Sequence, residues 1–102
     1  MSFDWGEYLR LAKSLARTSN EAELRSSISR AYYAVFNTAR RIIVNKGLGY
    51  LPTWSHKDHK KVPEIFEKYL KAVEISEGLK RLRNYRNKAD YDDVFPNLIK
   101  TA

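Results

Sequence analysis

Between Glu21 and Gly47 the chain runs without a proline or a glycine, and its apolar residues recur every three or four positions. Leu24, Ile28, Ala31, Tyr32, Val35, Ala39, Ile42 and Ile43 therefore share one stripe of a long helix. Its ends carry matching signals. Asn20 is a good N-cap, with Glu23 three residues on as in a capping box. Gly47 is a natural terminator, with Lys46 before it to meet the carbonyl end. Ser26, Ser27, Ser29, Ala31 and Ala34 are small enough for another helix to approach closely. A chain with such a helix is organised around it.

The remaining segments read as partners for that helix. Trp5, Tyr8, Leu9, Ala12, Leu15 and Ala16 make one stripe in a block from Phe3 to Arg17. Gly47 to Lys61 reads as a loop. A third helix is expected from Val62 to Val73, with Pro63 in its first turn and Ile65, Phe66, Tyr69, Leu70 and Val73 inward. A fourth is expected from Ser76, as cap, to Tyr91, with Leu79, Leu82, Tyr85 and Ala89 buried. Pro96 is placed to start another turn or two in the tail, Val94 to Ala102. No segment alternates with a strand period, and no repeat is present. One domain over residues 1–102 is all that this length supports. The expected fold is all-α: an antiparallel four-helix up-and-down bundle with a short C-terminal helical tail. Seven Tyr, four Phe and two Trp exceed what so small a core can bury, so a homodimer is expected to cover the surplus.

Charge narrows the function. The chain has 19 Lys+Arg against 12 Asp+Glu, a net +7. From Leu24 through Lys57 there is no acidic residue, and Lys80 to Lys88 holds five basic residues and no acid. Clustered cations suit a phosphate-bearing partner through counterion release; a solvated helix face is the plainer explanation. The absence of cysteine excludes a disulfide scaffold, a thiolate metal site and a thiol nucleophile. No apolar run is long enough to cross a membrane, and Met1 to Trp5 does not open like a secretory leader, so a cytoplasmic protein is expected. No Gly-rich phosphate loop, HExxH or GxSxG occurs. His56 and His59 are spaced like a metal pair but lack further ligands, and they read as polar residues of a loop or helix start. No metal and no cofactor are expected.

The fourth helix carries the sharper signal. Arg83, Asn87 and Asp90 are spaced to meet, Arg86 can reach the same region, and Asn87 and Tyr91 are neighbours at i, i+4. A guanidinium beside an amide and a phenol suits a phosphate, because the fork is planar, permanently charged and bidentate. An Asp90 ion pair with Arg83 or Arg86 is the structural alternative. Tyr32, Tyr33 and Phe36 read as core, with Tyr33 the one off the main stripe and Arg30 near it on the basic surface.

Two segments, Ser27-Ile28-Ser29-Arg30-Ala31-Tyr32-Tyr33-Ala34-Val35-Phe36 and Arg86-Asn87-Lys88-Ala89-Asp90-Tyr91, resemble the HEPN domain when taken in this order, with Thr53-Trp54-Ser55-His56 between them. The resemblance is to small stand-alone bacterial and archaeal members and covers about residues 5 to 95. It implies a helical bundle that dimerises. In ribonuclease members an Arg-Asn-x-x-x-His motif from each protomer meets at the dimer interface, and the reaction needs no metal. Many members pair with a minimal nucleotidyltransferase as toxin and antitoxin. Arg86 takes the Arg place and Asn87 the Asn place, while Tyr91 stands where His belongs. A phenol is a poor base at neutral pH. The resemblance thus implies a nucleotide- or RNA-binding partner of a minimal nucleotidyltransferase, with Arg83, Arg86, Asn87, Arg30, Tyr33 and Lys88 as its binding residues. The alternatives are a metal-independent endoribonuclease using Arg86, Asn87 and Tyr91 with help from His56, and a structural homodimer without nucleic acid.

Overall fold

A computed structural model of the chain describes residues 3–18, 20–47, 52–53, 55–69, 71–95 and 98. Among the described residues four helices follow one another: α1 (Gly6–Leu15), α2 (Glu21–Lys46), α3 (Asp58–Tyr69) and α4 (Val73–Tyr91). Among the described residues there is no strand.

The long helix α2 ends where its sequence says it should. Asn20 accepts a hydrogen bond from the Glu23 amide at 3.0 Å. Gly47 closes the other end at φ 59°, a conformation that costs a residue with a Cβ. Contacts then order the bundle. Arg25, in the first turns of α2, hydrogen-bonds the carbonyls of Lys88, Ala89, Asp92 and Asp93 at the end of α4. Ile43, near the end of α2, clusters with Leu79, near the start of α4. This is the order an antiparallel pair produces. The hydroxyl of Ser27 donates to the Ala12 carbonyl at 2.7 Å, which brings α1 against the small-residue face of α2.

Among the described residues, most of the apolar interior falls into two clusters. One gathers Tyr32, Phe36, Ala39, Ile43, Val62, Ile65, Phe66 and Leu79 from α2, α3 and α4. The other gathers Leu24, Ile28 and Ala89 with Phe95 and Leu98 of the tail.

Several boundaries and facings differ from expectation. Helix α1 is shorter, ending at Leu15. Helix α3 begins at Asp58, four residues early, because a turn over 55–57 feeds it: the amides of Asp58 and His59 bond the carbonyls of Ser55 and His56. Pro63 therefore lies inside the helix, not in its first turn. Helix α4 starts at Val73, and Ser76 is a fully buried interior residue, not its cap. Lys71, at φ 51°, makes the turn between α3 and α4, and the Ala72 amide bonds the Phe66 carbonyl at 2.9 Å. Val35, Tyr69 and Val73 point outward, since the buried line of α2 runs through Tyr32, Phe36, Ala39 and Ile43, and α3 ends at Tyr69. The expectations for Leu70 and for Pro96 itself lie outside the described residues, while Leu98 of the expected tail turn is helical.

Candidate nucleotide-binding site

Where α2, the start of α3 and α4 converge, a cavity of about 620 Å³ opens to solvent. Arg30, Tyr33, Phe36, Asn37 and Arg40 reach it from α2, Arg83, Arg86 and Tyr91 from α4. Ser55, His56 and His59 close one side, and Trp5 and Tyr8 of the first helix region close the other.

The floor is built on Asp58, which is completely buried. One carboxylate oxygen accepts from the Thr53 amide at 3.0 Å and hydroxyl at 3.1 Å. The other accepts from Arg40 at 3.1 Å. Arg40 also donates to the side-chain oxygen of Asn37, and its guanidinium lies 4.9 Å over the Phe36 ring. Asn37 in turn donates to the Tyr33 carbonyl at 2.9 Å. A buried carboxylate needs such partners, because desolvation otherwise penalises its charge.

His59 sits on this floor. Its ring stacks on Phe36 at 4.3 Å between centroids and an interplanar angle of 14°. Its Nδ1 shares a hydrogen bond with the hydroxyl of Tyr32. Burial pushes the imidazole pKa down to about 4, helped by the positive charges of Arg83, Arg86 and Arg40 and opposed by Asp58. Burial likewise pushes the Tyr32 phenol up to about 12, against the pull of Arg83 and Arg86. Both rings are therefore uncharged near neutral pH.

Arg86 is the most enclosed cation of the wall, at 8% exposure. Its guanidinium stands 5.5 Å over the rings of both Tyr32 and Tyr33, and it meets Asp90 at 3.7 Å. The Nε atoms of Arg83 and Arg86 are buried without a hydrogen-bond acceptor among the described residues. Arg30 rests 5.1 Å over Tyr8. Cations held against aromatic faces on the wall of a solvent-open cavity are suited to an anion with a planar ring attached.

The residues named from the sequence divide cleanly. Arg30, Tyr33, Arg83, Arg86, His56 and Tyr91 line the cavity. Asn87, half-buried, and Lys88, exposed, lie outside its lining. Asp90 pairs with Arg86, as the structural alternative had it, yet this pair leaves Arg86 on the cavity wall. His59 was expected as a polar residue of a loop or helix start; it lies in the first turn of α3, but as a stacked, hydrogen-bonded member of the wall. Arg40, Asp58, Asn37 and Tyr32 were not foreseen as site residues. Among the described residues, no group of three or more His, Cys, Asp or Glu stands close enough to hold a metal ion. No described helix is long and apolar enough to cross a membrane.

The family model described as the HEPN domain matches residues 6–102. The chain belongs to the HEPN family. That match spans α1 through α4 and includes every residue of the cavity wall except Trp5. HEPN domains are helical and generally associated with nucleotides or RNA, and the all-helical fold agrees with the first of these properties. No curated protein and no solved structure matches the chain.

Proposed function

We propose that this HEPN domain binds a nucleotide or RNA through the cavity between α2, α3 and α4. One observation carries the reading: Arg86 is nearly buried, held against two tyrosine rings, and still lines the solvent-open cavity. Desolvating a guanidinium costs free energy that a solvated surface residue does not incur. A phosphate in the cavity offsets that cost by pairing with the guanidinium charge, and Tyr33, Tyr8 and Trp5 offer faces for a base. The Arg86-Asn87 pair and Tyr91 in the histidine place fit a binding partner of a minimal nucleotidyltransferase, in the manner of a toxin–antitoxin pair.

A homodimer belongs to the same reading. An apolar groove of about 400 Å³ runs between α1, α2 and the start of α4, and exposed Leu9, Val35 and Ile75 line it. A second copy covering this groove removes apolar area from water. Sedimentation of the wild type as a dimer, and of Val35→Glu/Ile75→Glu as a folded monomer, checks it.

A metal-independent endoribonuclease is the second reading. It is favoured by two imidazoles, His56 and His59, on the same cavity wall as Arg86. Wild type and Arg86→Ala are incubated with fluorescent single-stranded RNA in EDTA. Anisotropy at two salt concentrations reads binding, and a gel reads cleavage. Salt-sensitive binding lost in Arg86→Ala, without cleavage, supports the binding reading. Cleavage by the wild type alone supports the nuclease. No binding and no cleavage refute both.

A further inference from the structure

The cavity's charge and donors identify the kind of phosphate. Four guanidiniums, of Arg30, Arg40, Arg83 and Arg86, line it, and two carboxylates, Asp58 and Asp90, offset Arg40 and Arg86. Among the described residues these charges leave an excess of two positive units. An internal phosphodiester brings one negative charge and two free oxygens. A phosphomonoester brings about −1.5 to −2 near pH 7 and three strong acceptor oxygens.

His59 adds to the donor side. Tyr32 is 1% exposed, and the acceptor its hydroxyl meets is Nδ1 of His59. A buried phenolic proton must be donated somewhere. Tyr32 therefore donates to Nδ1, which places the imidazole proton on Nε2. His59 then offers the cavity a neutral N–H. It joins the guanidiniums of Arg83 and Arg86, which line the same cavity. Such convergent donors match an end group with three oxygens better than a strand passing through, and the volume is that of a site for one small ligand.

We propose that the cavity takes a nucleotide phosphomonoester, either a free nucleoside monophosphate or the phosphorylated end of an RNA, in preference to an internal phosphodiester. This rests on the reading of the cavity as a nucleotide site. His59, locked as a donor by Tyr32, is then a recognition group.

The test measures four ligands against the full chain at pH 7.5 and one salt concentration: adenosine 5′-monophosphate, its methyl phosphodiester, and one RNA decamer with a 5′-phosphate or a 5′-hydroxyl. We expect each monoester to bind about tenfold or more tighter than its counterpart, as charge-assisted hydrogen bonds to an extra oxygen imply. The mononucleotide and RNA arms together distinguish the two sources of the phosphate. The preference should shrink in Arg83→Gln and in His59→Phe, each checked for helicity by circular dichroism. Equal binding of both members of each pair overturns the phosphomonoester inference and leaves nucleic-acid binding standing. Absence of binding in all four arms overturns both.

Discussion

The hydroxyl of Tyr32 on α2 and Nδ1 of His59 on α3 share one hydrogen bond across the helix interface, and Phe36 and Arg86 enclose the two rings. The bond joins a buried core residue to a ring that lines the cavity, so the packing of α2 sets the orientation of a site group. Replacing Tyr32 by Phe leaves Nδ1 without its donor. The expected cost is about 1–3 kcal/mol, read from urea denaturation. Nitrogen chemical shifts of His59 should move from a single Nε2–H tautomer toward a mixture. An unchanged tautomer would refute the assigned direction of the bond.

Acid should destabilise the fold through His59. Its pKa is about 4 in the folded protein and near 6.5 in the unfolded chain. A group depressed on folding binds fewer protons in the native state. Stability should therefore fall as pH drops from about 6.5 toward 4, with no contribution from this group above 6.5. The comparison is with His59→Gln, whose denaturation midpoint should fall less over that window. An NMR titration that places the His59 midpoint near 6.5 would contradict the burial argument.

The Asp58 carboxylate should be indispensable to the start of α3. It is fully buried, paired with Arg40 and bonded twice to Thr53. Asp58→Ala removes those acceptors and leaves Arg40 without this counter-charge in a half-buried position. A loss of about 3–5 kcal/mol in a denaturation experiment is expected. A loss below about 1 kcal/mol would show that water substitutes for the carboxylate.

Much of the bundle was legible because its signals are local. Asn20 with Glu23 and Gly47 with Lys46 bound α2 within the chain itself, and the 3–4 stripe named Tyr32, Ala39 and Ile43 as core. Arg83 and Arg86 were legible for the same reason, since spacing along one helix decides which side chains share a face. The floor of the site was not. Arg40, Asp58 and His59 come from two helices, and nothing in the order of the chain says that residue 40 meets residue 58. The start of α3 was read as loop because Pro63 looked like a first-turn proline. The turn over 55–57 overrides that signal and carries His59 inward. The spacing of His56 and His59 was the one available hint.

Arg25 should hold the end of α4 in place. Its guanidinium meets four backbone carbonyls there and lies 6.0 Å over Phe95. Those are carbonyls a helix end or the chain beyond it must otherwise give to water. Arg25→Ala should cost about 1.5–3 kcal/mol. Hydrogen exchange should speed at the amides of Ala89 to Asp92, while those of Leu79 and Leu82 stay protected. Uniform loss of protection along α4 would mean that the clamp supports the whole helix.

The two apolar clusters lie toward opposite ends of the bundle, and Arg83 and Arg86 occupy the stretch of α4 between Leu79 of one and Ala89 of the other. Along that stretch Leu82 packs against the first cluster and Tyr85 against the second, while Arg83 and Arg86 line a water-accessible hollow. An anion filling the hollow would act as mortar, tying α4 to α2 and the start of α3 beside that seam. Ligand binding should then make the ends melt as one unit, so that cooperativity of unfolding, as well as its midpoint, becomes a gauge of occupancy.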